Sequence, residues 1–325
     1  MQQKKIKWGI IGLGNIADKF AQDLKLSKKA ELHGVASRTE SKAKTFKEKH
    51  KAVKYFGSYK ELTEDPEIDV VYIATPHTFH YSNTMLCLDN NKSVLCEKPM
   101  GMNAQEVKKM QKKAVSKNLF LMEGMWTRFI PATEKLIELI RDNYAGEIIS
   151  LHADFGFKAE FNPNSRIFNK NLGGSSLLDI GIYPIYLSQL LLGMPTKTEA
   201  VARMAKTGVD SYCAILFEHE NSAKSVLEST TEADTPTEAI IYGTKKTIKL
   251  HSRFHHSKTI SIIENSKVIE TINIDYTGNG YYHEIEEVNS ALLNRNIESK
   301  KLPHHTSLQL VTTLDKVMSK IDLKE

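Results

Sequence analysis

Lys7-Trp8-Gly9-Ile10-Ile11-Gly12-Leu13-Gly14-Asn15-Ile16-Ala17 is the stretch whose reading decides the fold. A short apolar run ends in a G-x-G-x-x-A turn, and amphipathic residues continue from there to Leu26. Strand, glycine-rich turn and helix in that order are the context a dinucleotide fingerprint needs. Gly12 makes the tight turn. Gly14 lets a pyrophosphate approach the backbone at Asn15 and Ile16, where helix N–H groups and the helix dipole favour an anion. Ala17 is small enough for helix and strand to pack closely.

Such turns also occur in methyltransferases and in many loops, so the sequel matters. Strands near 32–37, 53–56, 70–74, 93–96 and 119–123 alternate with helices near 40–50, 77–90 and 103–116. That rhythm predicts βαβ units and an α/β Rossmann domain with a parallel sheet over residues 1–123. The acid that would bond an NAD ribose is expected about 20 residues past the glycines. Ser37 and Arg38 stand there instead, with Lys42 one helical turn on. A guanidinium suits a 2′-phosphate, and Arg accounts for only seven of the 44 basic residues, which weighs against chance placement. NADP(H) is therefore the expected cofactor; the plainer alternative is a solvated loop arginine.

Two further constellations carry chemistry. In Ala74-Thr75-Pro76-His77-Thr78-Phe79-His80, Thr75 reads as a helix N-cap with Pro76 at the first helical position. The turn follows a parallel strand, where such sheets bind ligands. His77 and His80 share a helix face, but no further ligand at matching spacing supports a metal, so cofactor contact or local capping is expected and no metal. Val94-Leu95-Cys96-Glu97-Lys98-Pro99-Met100 closes a buried strand on a charged pair at the same sheet edge. A surface ion pair is the simpler reading of Glu97 and Lys98, were it not for the other two turns on that edge.

At 325 residues the chain exceeds what one core usually supports, which favours two domains. The formal charge of +5 is spread among interspersed acids, and runs such as Lys108-Lys109 and Lys112-Lys113 suit a solvated helix face. No nucleic-acid partner is expected. The most apolar stretch, 177–194, is interrupted by Asp179, Ser188 and Gln189, which argues against a membrane span. Cys87, Cys96 and Cys213 lie far apart, so neither a disulfide framework nor structural zinc is expected. With no signal-peptide pattern at the N-terminus, a cytoplasmic protein is expected.

With these motifs in hand, the chain resembles the glucose–fructose oxidoreductase / inositol dehydrogenase (Gfo/Idh/MocA) superfamily over essentially its full length. Met122-Glu123-Gly124-Met125-Trp126-Thr127-Arg128-Phe129 and Leu172-Gly173-Gly174-Ser175-Ser176-Leu177-Leu178-Asp179-Ile180-Gly181-Ile182-Tyr183-Pro184 resemble the branch of dimeric dihydrodiol dehydrogenase and NADP-dependent D-xylose dehydrogenase. The resemblance implies a second, α+β domain at 124–325, with an open, mostly antiparallel sheet that serves substrate binding and homodimer formation. Segments near 209–217, 223–230 and 239–241 read as its strands; 132–143, 284–294 and 307–320 read as helices. Many relatives carry Asp-x-x-x-His, whereas here the spacing runs from Asp179 to Tyr183, as in the dihydrodiol branch, whose Tyr takes the proton-transfer role. Many relatives also have Asn where this chain has His77, which leaves that contact open. The resemblance implies hydride transfer between NADP(H) and a sugar, polyol, diol or dicarbonyl, with Tyr183 as acid/base, Lys98 favouring its phenolate and Asp179 orienting hydroxyls. Trp126 and Arg128 would border the nicotinamide and the substrate mouth, with Trp126 and Phe155 contacting substrate and Phe155 supplying an apolar wall. The rival readings are a non-catalytic NADP(H)-binding regulatory protein of the same superfamily and a structural partner protein assembled through the open sheet.

Overall fold

Six parallel strands build the sheet that the alternation predicts. In this computed structural model, which describes residues 5–322, the first elements are β1 (Ile6–Ile11), α1 (Asn15–Leu24), β2 (Ala30–Ala36), α2 (Glu40–His50), β3 (Lys54–Phe56) and α3 (Tyr59–Glu64). They are followed by β4 (Val70–Ile73), α4 (His80–Asp89), β5 (Ser93–Glu97), α5 (Ala104–Ser116) and β6 (Leu121–Gly124). The sheet order is β3-β2-β1-β4-β5-β6, and every pairing is parallel. The order reverses between β1 and β4, the switch point at which open α/β sheets bind ligands beyond the carboxyl ends of their strands. Every residue of β4 is buried, as is β5 up to Cys96, because such sheets are covered by helices on both faces.

Local chemistry sets the helix starts. Ser58 accepts the Glu61 N–H ahead of α3, and Asn103 accepts the Glu106 N–H ahead of α5, each satisfying a donor the helix leaves open. The expected cap at Thr75 is not formed. A 3-10 turn, His77–Phe79, precedes α4, with Pro76 at its cap position and no side-chain hydrogen bond. Thr75 Oγ1 instead accepts from Asn83 Nδ2 at 3.1 Å, which turns it away from the helix end.

The second unit begins at Thr127. It holds α6 (Pro131–Arg141), β7 (Ile148–Gly156), and a π-helical turn, Leu177–Gly181, that runs into α7 (Ile182–Leu192). Then come β8 (Pro195–Met204), β9 (Asp210–His219), β10 (Lys224–Thr230), β11 (Ala239–Gly243), β12 (Thr247–Leu250), β13 (Thr259–Glu264) and β14 (Lys267–Asn273). They form an eight-stranded sheet in the order β14-β13-β12-β11-β7-β10-β9-β8. The β7–β10 pairing is parallel and the others are antiparallel. Leu151, Ile215, Leu227 and Ile241 bury one face of it. The stretch Lys170–Leu192 is long and apolar enough to cross a membrane by composition, but 78% of its most apolar window is buried within the protein, as in a core helix.

The chain then returns. Thr277–Leu308, with α8 (Tyr282–Leu293), packs with the first unit, and only from Gln309, inside α9 (His304–Asp322), does it rejoin the second. The expected single boundary between residues 123 and 124 therefore needs correction. The reason is polar as well as apolar. Asp23, buried in α1, accepts the N–H groups of Asn279, Tyr281 and Tyr282. Trp8 Nε1 donates to Asn289 Oδ1 at 2.9 Å, and the Leu121 N–H donates to the Ile297 carbonyl at 3.1 Å. These partners lie far apart in sequence, beyond any local pattern.

Candidate active site

In the first unit, the β1–α1 turn has the form a pyrophosphate requires. Gly12 has φ +84, and a Cβ there would lie 2.6 Å from the Ala74 carbonyl carbon and oxygen, so only glycine lets this turn sit against the one after β4. Gly14 is the N-cap of α1, without a side-chain cap, and a Cβ on it would meet nothing within 4 Å. Open space faces the positive end of a ten-residue helix. Ala17 is fully buried against the sheet. At the end of β2, Ser37 is buried and its Oγ accepts the Thr39 N–H at 3.2 Å. Arg38 and Lys42 are exposed, and the Arg38 guanidinium lies 6.0 Å from the centroid of the Phe79 ring. These residues fit a dinucleotide whose adenosine end meets positive charge.

The turns after β4 and β5 are tied together by His80. It is completely buried, and its ring nitrogens lie 2.7 Å from the Pro99 carbonyl and 2.8 Å from the Thr75 carbonyl. Burial pulls its pKa below the usual imidazole value, while the two carbonyls favour the charged ring. His77 is buried with its ring centroid 5.7 Å from that of His80. Glu97 accepts from the Tyr72 hydroxyl and, at 3.2 Å, from the Lys98 N–H. Burial and the Glu97 carboxylate hold the Tyr72 phenol well above its ordinary range. Trp126 stacks on Tyr281 at 4.8 Å and 12°. Beside them Glu284 is fully buried, with no hydrogen bond to either oxygen among the described residues. Burial, with Glu97 and Asp23 adding to it, pushes its carboxyl far up. Gly12, Thr75, His80 and Glu97 thus meet at one sheet edge, as the motifs predict. The described residues bring together one trio of potential metal ligands elsewhere, His33, Asp65 and Glu67. The Lys54 ammonium already lies 2.8 Å from both of those carboxylates.

The second unit carries Arg128, Phe155, Asp179 and Tyr183. Asp179 belongs to a π turn rather than to an α-helix. A π turn of this kind frequently marks a functional site. Asp210 secures its start: buried on β9, it accepts from the hydroxyls of Ser175 and Ser176 and from the Leu177 N–H at 2.7 Å. Asp179 is held by a two-point ion pair to Arg166, at 2.8 and 3.0 Å. Tyr183 is buried, with its ring centroid 5.7 Å from Phe155 and 4.9 Å from His255, and the Phe155 and His255 rings stack at 4.4 Å. Arg128 pairs with Glu134 at 3.0 Å and is largely buried. Sequence reasoning missed Arg166 and His255. The scarcity of arginine was a signal for the first; nothing in local spacing points to the second.

The model of an oxidoreductase family with an NAD-binding Rossmann fold, GFO/IDH/MocA, matches residues 6–125, and the GFO/IDH/MocA C-terminal domain matches residues 133–249. Trans-1,2-dihydrobenzene-1,2-diol dehydrogenase of Danio rerio is 34% identical over 326 residues, covering 97% of each chain. The chain belongs to the GFO/IDH/MocA family. As a member it is an oxidoreductase with a nicotinamide-dinucleotide domain. Among solved structures, the fold of this GFO/IDH/MocA protein is shared by aldose-aldose oxidoreductase from Caulobacter crescentus, crystallised with glycerol, at TM-score 0.90, 21% identity and 99% coverage of both chains. It is shared too by a 3-ketoreductase from Actinomadura kijaniata in complex with NADP, at TM-score 0.89, 22% identity and 98% coverage of both.

Proposed function

We propose that this GFO/IDH/MocA oxidoreductase is a cytoplasmic enzyme that moves a hydride reversibly between NADP(H) and a secondary alcohol of a sugar, polyol or diol, or the matching carbonyl. A nicotinamide dinucleotide held at this sheet edge would supply or take the hydride. The chain's own residues handle the proton. Tyr183 is assigned the acid/base role, and the observation that carries the assignment is its burial against Phe155 and His255, next to the π turn that holds Asp179. A phenol kept from bulk water exchanges its proton with what binds there. A free tyrosine has a pKa of about 10, too high for efficient base work near neutrality. Lys98 is assigned the positive charge that favours the phenolate. Asp179, fixed by Arg166, orients substrate hydroxyls, and Phe155 gives them an apolar wall. Trp126 borders the nicotinamide. Arg128, already paired with Glu134, is proposed to shape the substrate mouth rather than to meet substrate with a free charge. Gly12, Gly14, Asn15 and Ile16 cradle the pyrophosphate; Ser37, Arg38 and Lys42 take the 2′-phosphate. Thr75, Pro76, His77, His80 and Glu97 line the nicotinamide half. The diol substrate class rests on the names of the curated relatives and the sugar class on those of the fold neighbours.

A screen of aldoses, polyols, diols and dicarbonyls with NADP+ and NADPH finds the substrate. With it, Tyr183→Phe and Lys98→Met should each lower turnover by roughly 10²–10⁴-fold. The double variant should fall little below the worse single, because residues acting as one unit are non-additive. Near-wild-type turnover of Tyr183→Phe, with hydride transfer rate-limiting, would overturn the assignment. Cofactor binding without turnover of any compound would instead favour the regulatory reading.

A further inference from the structure

Glu123 is a carboxyl group that the proposed chemistry does not use, placed directly behind the Lys98 turn. It stands on β6 in register with Cys96 of β5, and it is 3% exposed. Its Oε1 accepts the Met100 N–H at 2.8 Å, and Oε2 is sealed from solvent. Met100 lies two residues past Lys98, so this one bond fixes the far side of the Glu97-Lys98-Pro99 turn. The groups facing the carboxyl are Cys96, Glu97 and Lys98 from β5 and its turn, and the Ser307 hydroxyl from α9. A glutamine would accept the same N–H without the cost of a buried charge. The position nevertheless holds a group that can ionise beside a lysine.

We propose that Glu123 is a positioning residue whose carboxylate, through the Met100 amide and its attraction for the Lys98 ammonium, holds the Glu97-Lys98-Pro99 turn in its cofactor-binding arrangement. This deepens the function proposed above and rests on the role given there to Lys98. Burial pushes the Glu123 carboxyl up to about 7, against the pull of the Ser307 hydroxyl, the Met100 amide and Lys98, with Glu97 adding to the rise. The negative charge is therefore present above that value and lost as pH falls through it. A neutral carboxyl is a weaker acceptor and attracts the ammonium less.

NADH is the probe for the test, because the 2′-phosphate of NADPH itself titrates near pH 6. NADH affinity of the wild type, followed by fluorescence, should weaken by about tenfold from roughly pH 8 to roughly pH 6, with its midpoint near 7. Glu123→Gln should show no such step. A variant that keeps the wild-type step, as it would were His77 or His80 the titrating group, overturns the proposal, and so does a wild type without one. If Glu123→Gln does not fold, infrared spectroscopy of the wild type replaces it. A buried carboxyl titrating with the NADH midpoint supports the proposal; any other midpoint overturns it. The role of Lys98 is read separately, from turnover of Lys98→Met, so its failure is distinguishable from failure at Glu123.

Discussion

Arg38 is the residue on which cofactor choice is proposed to turn. It is exposed at the end of β2, near the Phe79 ring. A charge-assisted contact with a 2′-phosphate is worth roughly 1.5–3 kcal/mol, or one to two decades of affinity. Wild-type protein should bind NADPH tighter than NADH by about that factor. Arg38→Ala should remove most of the preference and leave NADH affinity nearly unchanged. Calorimetric titration of both cofactors checks it, and equal wild-type affinities would end the assignment. At this scale the sequence was informative wherever function is local. Gly12 and Gly14 announced a backbone shape, and Arg38 a missing carboxylate, because each acts through its immediate chain neighbours. Thr75 was misread for the opposite reason: its hydroxyl was claimed by Asn83, eight residues on, rather than by the helix end beside it.

Among the elements, the π turn at Leu177–Gly181 bears most on the proposed chemistry, and Asp210 is what holds it. Asp210→Ala would strand two buried donors, the Ser175 hydroxyl and the Leu177 N–H, and leave the Ser176 hydroxyl only Ser229 as partner. Each orphaned donor costs about 1–3 kcal/mol. The variant should lose on the order of 3–5 kcal/mol of stability in denaturant titration. Where it remains folded, turnover should fall while cofactor affinity holds. Unchanged stability would mean that the turn does not depend on Asp210. Strands and helices of the first unit were legible in outline, since each βαβ unit repeats one hydrophobic rhythm. The second sheet was read only in part. β7, β8 and β12–β14 were not anticipated, because several are half-exposed and alternate weakly, and α3 is only six residues long.

For the whole molecule, the proposed assembly is a homodimer through the second unit's sheet. Register places Val201, Leu216, Val226 and Tyr242 on one face, and all four are 36–50% exposed. A row of apolar side chains on a broad sheet face is the kind of surface that a second copy covers. Light scattering at micromolar concentration should give twice the chain mass. Leu216→Glu combined with Val226→Glu should shift it to the monomer without unfolding, since both side chains already face water. A monomeric wild type would count directly against the dimer.

The sequence alone determined the parallel dinucleotide domain, its family, and most of the residues at its carboxyl edge, because glycine turns, strand ends and periodicity are written in adjacent residues. Only the tertiary structure decided where the domains divide. It did so through Asp23, Trp8 and Leu121, whose partners lie in the segment Thr277–Leu308. It alone paired Asp179 with Arg166, set His255 beside Tyr183 and buried Glu123 behind the Lys98 turn. Burial and long-range pairing fix the charge state and orientation of such groups, and neither is a property of neighbouring residues in the chain.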